Sequence, residues 1–215
     1  MPIRVELADD HTLVRQGLRL IVESHPGFVV VAEAASGLEA VELAREHRPD
    51  VAVVDIAMTE LNGIEAAAQI LRHSPRTSVL ILSMHSNERY VIGALKAGAR
   101  GYLLKDAVQE ELIRAILLVQ QGKSFFSPAV ARILQDAHTG DVKSRRVDDR
   151  YELLTERERQ IYQMLAEGNS NKEIATRLNL SLHTVETHRT RVMDKMDVHS
   201  AAELVLSAVR RGLIY

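Results

Sequence analysis

The chain has no cysteine and no tryptophan, and aromatic residues fill only 4% of its 215 positions. Without cysteine there is no disulfide scaffold, no thiolate nucleophile and no Cys-based zinc site, a usage that fits a reducing compartment. No apolar run approaches the roughly 20 residues that a membrane-spanning helix needs. The opening MPIRVELADDH carries charge at Arg4, Glu6, Asp9 and Asp10, so neither a signal peptide nor an anchor is expected there. The expectation is a cytoplasmic protein with no membrane partner. A basic excess is missing as well. Against a net charge of −2, residues 1–121 hold about 12 Lys/Arg to about 16 Asp/Glu, and residues 150–215 about 10 to about 9. Charge alone therefore does not point to nucleic acid, and such a reading has to come from pattern. The nine histidines show no HExxH-type spacing, which argues against a zinc site.

What is present is alternation. Five short apolar runs, Ile3–Ala8, Phe28–Ala34, Val51–Asp55, Ser78–Ser83 and Gly101–Leu104, recur roughly every 20–30 residues, the spacing of βαβ units. Helical patterns separate them: His11–Glu23 with Leu13, Leu20 and Ile21 at near-helical spacing, then Leu38–His47, Gly63–His73, Arg89–Ala97 and Val108–Gln120. The expected fold class of residues 1–121 is α/β, a doubly wound five-stranded parallel sheet with helices on both faces. Residues 122–150 read as a short helix followed by a linker at 138–150, with Pro128 in the helix's first turn and Ser127 as its N-cap. Residues 151–215 read as a second, all-α domain of four helices. Their apolar stripes are Leu154, Ile161, Met164 and Leu165; Ile174, Ala175 and Leu178; Leu182, Val185, Val192 and Met196; and Leu204, Val205, Ala208 and Val209. Thr155 with Glu158 has the capping-box spacing, and Gly168 suits a helix C-cap.

Chemistry concentrates at the expected strand ends. Asp9 and Asp10 end the first strand, Asp55 the third, Ser83 the fourth and Lys105 the fifth, and in an open sheet the carboxyl ends of the strands face one crevice. Three carboxylates that close repel one another unless a cation intervenes, and an all-oxygen site suits Mg²⁺. With that screening an Asp55 oxygen can attack phosphorus in line, Lys105 can balance charge on the phosphoryl oxygens, and Ser83 can donate its hydroxyl.

These pieces, ADDH, VVDIAMTELNGIE, ILSMH and AGARGYLLKD, resemble the response-regulator receiver domains, whose sheet is flavodoxin-like. The resemblance implies that Asp55 takes a phosphoryl group from the phosphohistidine of a sensor histidine kinase, and that Asp9, Asp10, Asp55 and the Ala57 backbone carbonyl hold Mg²⁺. It also implies that Ser83 and Tyr102 are a switch pair, the ring following the hydroxyl inward. Thr59 departs from the family, which usually has Pro there, so the φ restraint on that loop is missing.

In the C-terminal part, two helices joined by a turn at 179–181 form a helix-turn-helix pattern, with Ser181 able to cap the second. Its period leaves His183, Glu186, Thr187, Thr190 and Arg191 outward, and Thr184 joins them as a DNA-binding candidate. LTERE, AEGNSNKEIA, LSLHTVETH and MDKM together resemble the LuxR-type DNA-binding domain, and the pairing with a receiver resembles the NarL/FixJ regulators. That resemblance implies phosphate contacts from Lys172, Arg189 and Lys195 and base reading by Glu186, Thr187 and Thr190. Glu186 departs from the basic or polar residue commoner there, and a carboxylate can accept from cytosine N4. His188 reads as a packed structural histidine.

The expected protein is a two-component response regulator and transcription factor that dimerises on phosphorylation and binds double-stranded promoter DNA, with RNA polymerase a further partner. It is not an enzyme beyond promoting its own phosphotransfer and autodephosphorylation. One alternative is a constitutive DNA binder whose receiver is a docking scaffold. Another is an aspartyl-phosphate phosphatase, against which stand the missing DxD partner of Asp55 and the lack of a substrate cap.

Overall fold

The computed structural model describes residues 1–139 and 149–214. They fall into two compact units, the first holding the sheet and its helices and the second the C-terminal helices. Most of the linker expected at 138–150 lies outside the described residues. No described helix is long and apolar enough to cross a membrane.

The first unit alternates strand and helix: β1 Ile3–Ala8, α1 Thr12–Glu23, β2 Phe28–Ala34, α2 Gly37–His47, β3 Val51–Asp55, α3 Gly63–His73, β4 Ser78–Ser83, α4 Glu88–Lys96, β5 Gly101–Leu104, α5 Val108–Gln120, β6 Phe125–Phe126 and α6 Pro128–Thr139. The strands pair in parallel in the order β2-β1-β3-β4-β5-β6. The chain reverses its direction of growth between β1 and β3, and it is at such a switch point that open α/β sheets bind ligands. Every residue of β3 and β4 is buried, as strands covered on both faces must be.

Five strands were expected, and six are present among the described residues. The sixth is two residues long, too short to carry a period. It is defined by pairing, with Phe125 N–H donating to the Arg100 carbonyl and Ser127 N–H to the Tyr102 carbonyl. Two further expectations are corrected here. On α1 the sheet-facing residues are Leu18 and Val22, with Ile21 partly buried, whereas Leu13 and Leu20 are 84% and 72% exposed. The helix carries two apolar stripes, and period alone does not say which one meets the sheet. Ser127 contributes its carbonyl to the first turn of α6, but its buried hydroxyl has no hydrogen-bond partner and caps nothing. The side-chain caps that do form are Ser36 on α2, Asn62 on α3 and Asn87 on α4.

The second unit contains α7 Glu156–Ala166, α8 Asn171–Arg177, α9 Leu182–Met196 and α10 Ala201–Arg211. Capping boxes start α7 (Thr155 with Glu158) and α8 (Ser170 with Glu173). Gly168, at φ 89°, ends α7 by returning its N–H to the Leu165 carbonyl. Its core joins Leu154, Tyr162, Val192, Met196, Leu204 and Ala208, and the Tyr162 and Ser207 hydroxyls hydrogen-bond beside it. The expected stripes are too wide in two places. Leu182 is exposed at the start of α9, and Val205 and Val209 are exposed on α10, because α10 packs through a narrow i, i+4 seam of Leu204 and Ala208.

Candidate functional site

β1 and β3 lie side by side in parallel, so the residues that follow them meet at the same edge of the sheet. Asp9 is fully buried, Asp55 is 2% exposed, and Lys105, just past β5, reaches both. Its Nζ donates to Asp9 Oδ2 at 2.8 Å and stands 2.9 Å from Asp55 Oδ2, an ion pair rather than an aligned hydrogen bond. Burial raises the Asp55 pKa, and Lys105 opposes that rise. For Lys105 itself burial pulls the pKa down, but the bonds to Asp9 and Asp55 outweigh it and raise it.

Backbone geometry fixes this arrangement. A Cβ on Gly63 would sit 1.9 Å from the Asp55 carbonyl oxygen, so only glycine lets the start of α3 press against the end of β3. Gly63 N–H donates to the Ile56 carbonyl at 3.0 Å, closing the loop after Asp55. Arg15 Nη1 donates to the Asp9 carbonyl at 2.6 Å, and His11 N–H to Asp9 Oδ1 at 2.9 Å.

One ligand atom each from Asp9, Asp10, His11 and Asp55 lie within 4.8 Å of one another. Asp10 Oδ1 and Asp55 Oδ2 are buried oxygens that no aligned hydrogen bond satisfies, their close contacts being with His11 Nδ1 and, as an ion pair, with Lys105 Nζ. Buried carboxylate oxygens are normally satisfied, so the cluster fits a hard divalent cation. His11 was not singled out from sequence, although it directly follows the paired acids.

Ser83 and Tyr102 are both about 1% exposed. The Tyr102 hydroxyl donates to the His85 carbonyl at 2.6 Å, and Ser83 Oγ accepts from His85 N–H at 3.0 Å, so the loop after β4 joins the two side chains. The Tyr102 ring already lies inward, and burial pushes its phenol up to about 12.

In the second unit, the turn between α8 and α9 places Asn179 at φ 51°. Ser181 then caps α9, accepting from Thr184 N–H at 3.0 Å, with the two hydroxyls 2.8 Å apart. Lys172, His183, Glu186, Thr190 and Arg191 are exposed, while Thr184, Thr187 and Arg189 are half-buried. The Thr187 and Thr190 hydroxyls donate back to the His183 and Glu186 carbonyls, and Arg189 Nη1 donates to Asn171 Oδ1 at 3.2 Å. Lys195 has a partner inside the domain, Glu158. His188 is half-buried with Nδ1 unpartnered; burial lowers its pKa, with Arg191, Arg157 and Lys195 adding to the effect and Glu158 opposing it. Arg157, on α7, thus belongs to the basic groups around α9. Local pattern on α9 had no means of finding it. Exposed Leu182 offers an apolar contact of the kind a thymine methyl accepts.

A family model described as response regulator receiver domain matches residues 5–117, and one described as bacterial regulatory proteins, luxR family, matches residues 152–208. The oxygen regulatory protein NreC of Staphylococcus epidermidis is 37% identical over 218 residues, covering 99% of each chain. The transcriptional regulatory protein DegU of Brevibacillus brevis is 34% identical, covering 99% of this chain and 95% of its own. Among solved structures, the response regulator RcsB in complex with DNA is 28% identical with a TM-score of 0.59, covering 97% of this chain and all of its own. RcsB is also seen as two dimers on two parallel DNAs, at 27% identity, a TM-score of 0.59 and the same coverage.

Proposed function

The chain belongs to the response regulators that join a receiver domain to a LuxR-type DNA-binding domain, and we propose that Asp55 is its phosphoacceptor and that phosphorylation promotes dimerisation and DNA binding. The observation that carries this is the buried Asp55 carboxylate at the end of β3 with Lys105 Nζ 2.9 Å from its Oδ2. An Asp55 oxygen attacks the phosphorus of a sensor kinase's phosphohistidine in line; the new O–P bond forms as the N–P bond breaks, and the electron pair leaves with the imidazole. Lys105 compensates the charge spread over the phosphoryl oxygens, and the Ser83 hydroxyl turns from His85 N–H to donate to one of them. Asp9, Asp10, Asp55 and the Ala57 carbonyl are the residues that would hold Mg²⁺, which when bound neutralises the carboxylates and the transferred group. The chain is a transcriptional regulator rather than a member of an enzyme family, and its chemistry is confined to its own phosphorylation and dephosphorylation.

Phosphorylation adds about −1.5 to −2 charge in a buried site, and the Ser83–His85–Tyr102 chain is the group that moves in response. The output is tighter self-association, through the receiver or α10 or both, and tighter binding to double-stranded promoter DNA, where RNA polymerase is a further partner. The cytoplasm is the compartment this reading assigns. On the DNA face Lys172 and Arg189 serve as phosphate contacts and His183, Thr184, Glu186, Thr187, Thr190 and Arg191 line the groove. Acetyl phosphate with Mg²⁺ should add one phosphoryl group, detected by intact mass, and Asp55→Asn should abolish it. A mass gain that survives in Asp55→Asn would reject the assignment.

A further inference from the structure

The side chain of His11 stands beside the acidic cluster in an unusual relation to it. Nδ1 is 2.7 Å from Asp10 Oδ1 and 3.4 Å from Asp9 Oδ1, so this nitrogen is seated against both carboxylates, and no aligned hydrogen bond satisfies Asp10 Oδ1. A neutral imidazole that turns Nδ1 toward the carboxylates presents its lone pair to a cation shared with them. Adjacent ligands about a metal with bonds of roughly 2.0–2.2 Å are about 3 Å apart. The two distances bracket that value. Asp55, 2% exposed and ion-paired with Lys105 through Oδ2, belongs to the same cluster.

We propose that the neutral His11 imidazole is a nitrogen ligand of the cation held by Asp9, Asp10 and Asp55, which shifts the site's preference from Mg²⁺ toward first-row transition divalents such as Mn²⁺ and Co²⁺. The proposal rests on the reading that the acidic cluster holds a divalent cation. Mg²⁺ favours oxygen and gains little from an imidazole, whereas nitrogen donors strengthen binding along the series from Mn²⁺ to Ni²⁺. Nδ1 is the coordinating atom because it faces the carboxylates, so the proton stays on Nε2, toward solvent; the His11 side chain is 67% exposed. The exposed position leaves room for the ring to settle onto the metal without disturbing the core.

The test uses the full chain stripped of metal and loaded with one equivalent of Mn²⁺. Loss of the free Mn²⁺ electron-paramagnetic-resonance signal reports binding, and pulsed measurement of nitrogen modulation reports a coordinated imidazole. The wild type should show modulation from one imidazole, His11→Ala should bind Mn²⁺ without it, and His85→Ala, on the loop after β4, should retain it. Competition against Mn²⁺ should show Co²⁺ binding weakened by about tenfold or more in His11→Ala while Mg²⁺ changes by less than about twofold. Mn²⁺ binding without nitrogen modulation in the wild type, or modulation that persists in His11→Ala, would overturn the role of His11 and leave the acidic site standing. Failure of the wild type to bind Mn²⁺ or Mg²⁺ at all would overturn both.

Discussion

Lys195 Nζ lies 2.6 Å from Glu158 Oε2, tying the last turn of α9 to the first turn of α7. The same Glu158 oxygen accepts the Thr155 N–H at 2.8 Å, so one carboxylate starts α7 and anchors α9. Burial tends to raise the Glu158 pKa, but the bonds from Lys195 and Thr155 outweigh it and hold it below the ordinary glutamate value. Lys195 is expected on phosphate, and in the structure its ammonium pairs with Glu158.

Lys195→Met keeps the stem and removes the charge. We expect the C-terminal unit to lose about 1–3 kcal/mol, seen as faster hydrogen exchange across α7 and α9, with the salt slope of DNA binding unchanged. Because the folded Glu158 pKa is depressed, the wild-type pair contributes above the ordinary glutamate value and that contribution is lost as pH falls through the folded value. The variant should lack this acid-side loss. A salt slope reduced by roughly one would return Lys195 to the phosphates.

Lys172 and Thr187 should separate affinity from specificity. If exposed Lys172 on α8 makes the sequence-blind phosphate contact we propose, Lys172→Ala should weaken all duplexes alike and lower the magnitude of the salt slope by roughly one. Thr187→Ala should leave the slope unchanged and narrow the gap between a selected duplex and its scrambled form by about 1 kcal/mol. Titrations at several salt concentrations measure both.

Gly63→Ala tests how tightly α3 holds Asp55, the phosphoacceptor we propose. With a Cβ 1.9 Å from the Asp55 carbonyl oxygen the backbone has to shift, and the receiver should lose about 1–3 kcal/mol or more. Phosphorylation by acetyl phosphate should slow in the same variant, while exchange protection of α7 and α9 stays at the wild-type level.

Glu6 gives the receiver an alkaline weakness. It is fully buried on β1 between Ala32 and Ala52 of the neighbouring strands, neither carboxylate oxygen has a partner, and burial pushes its pKa up to about 8. The folded state therefore holds a proton that the unfolded chain releases near the ordinary glutamate value of 4.5, so stability declines as pH rises from there until about 8. Glu6→Gln should gain on the wild type over that interval by a few kcal/mol at most, levelling off above it. Urea unfolding from pH 5 to 9 reads the difference. A constant offset across the range would show that Glu6 does not titrate in the core.

Several features were legible locally. Period and composition placed β1 to β5 and most helices, because each of those signals lies within a dozen residues. The Thr155–Glu158 box, the Ser181 cap and Gly168 at the end of α7 are local for the same reason: a cap involves groups only three or four positions apart. The strand-end acids were legible once parallel strands were assumed, since that topology alone brings Asp9, Asp55 and Lys105 to one edge.

Tertiary structure decided the rest. Sequence determined that α1, α9 and α10 are amphipathic; packing decided that Leu13, Leu20, Leu182, Val205 and Val209 stay exposed, because a helix buries only the stripe its neighbour can reach. A two-residue strand has no period, so Phe125–Phe126 exists only through its pairing with β5. Whether Lys195 meets phosphate or Glu158, and whether the Tyr102 hydroxyl finds His85, depends on atoms 37 and 17 residues apart in the chain. A lysine or a phenol carries no mark of its partner, so those choices belong to the folded chain, which alone brings Glu158 and the His85 carbonyl within reach.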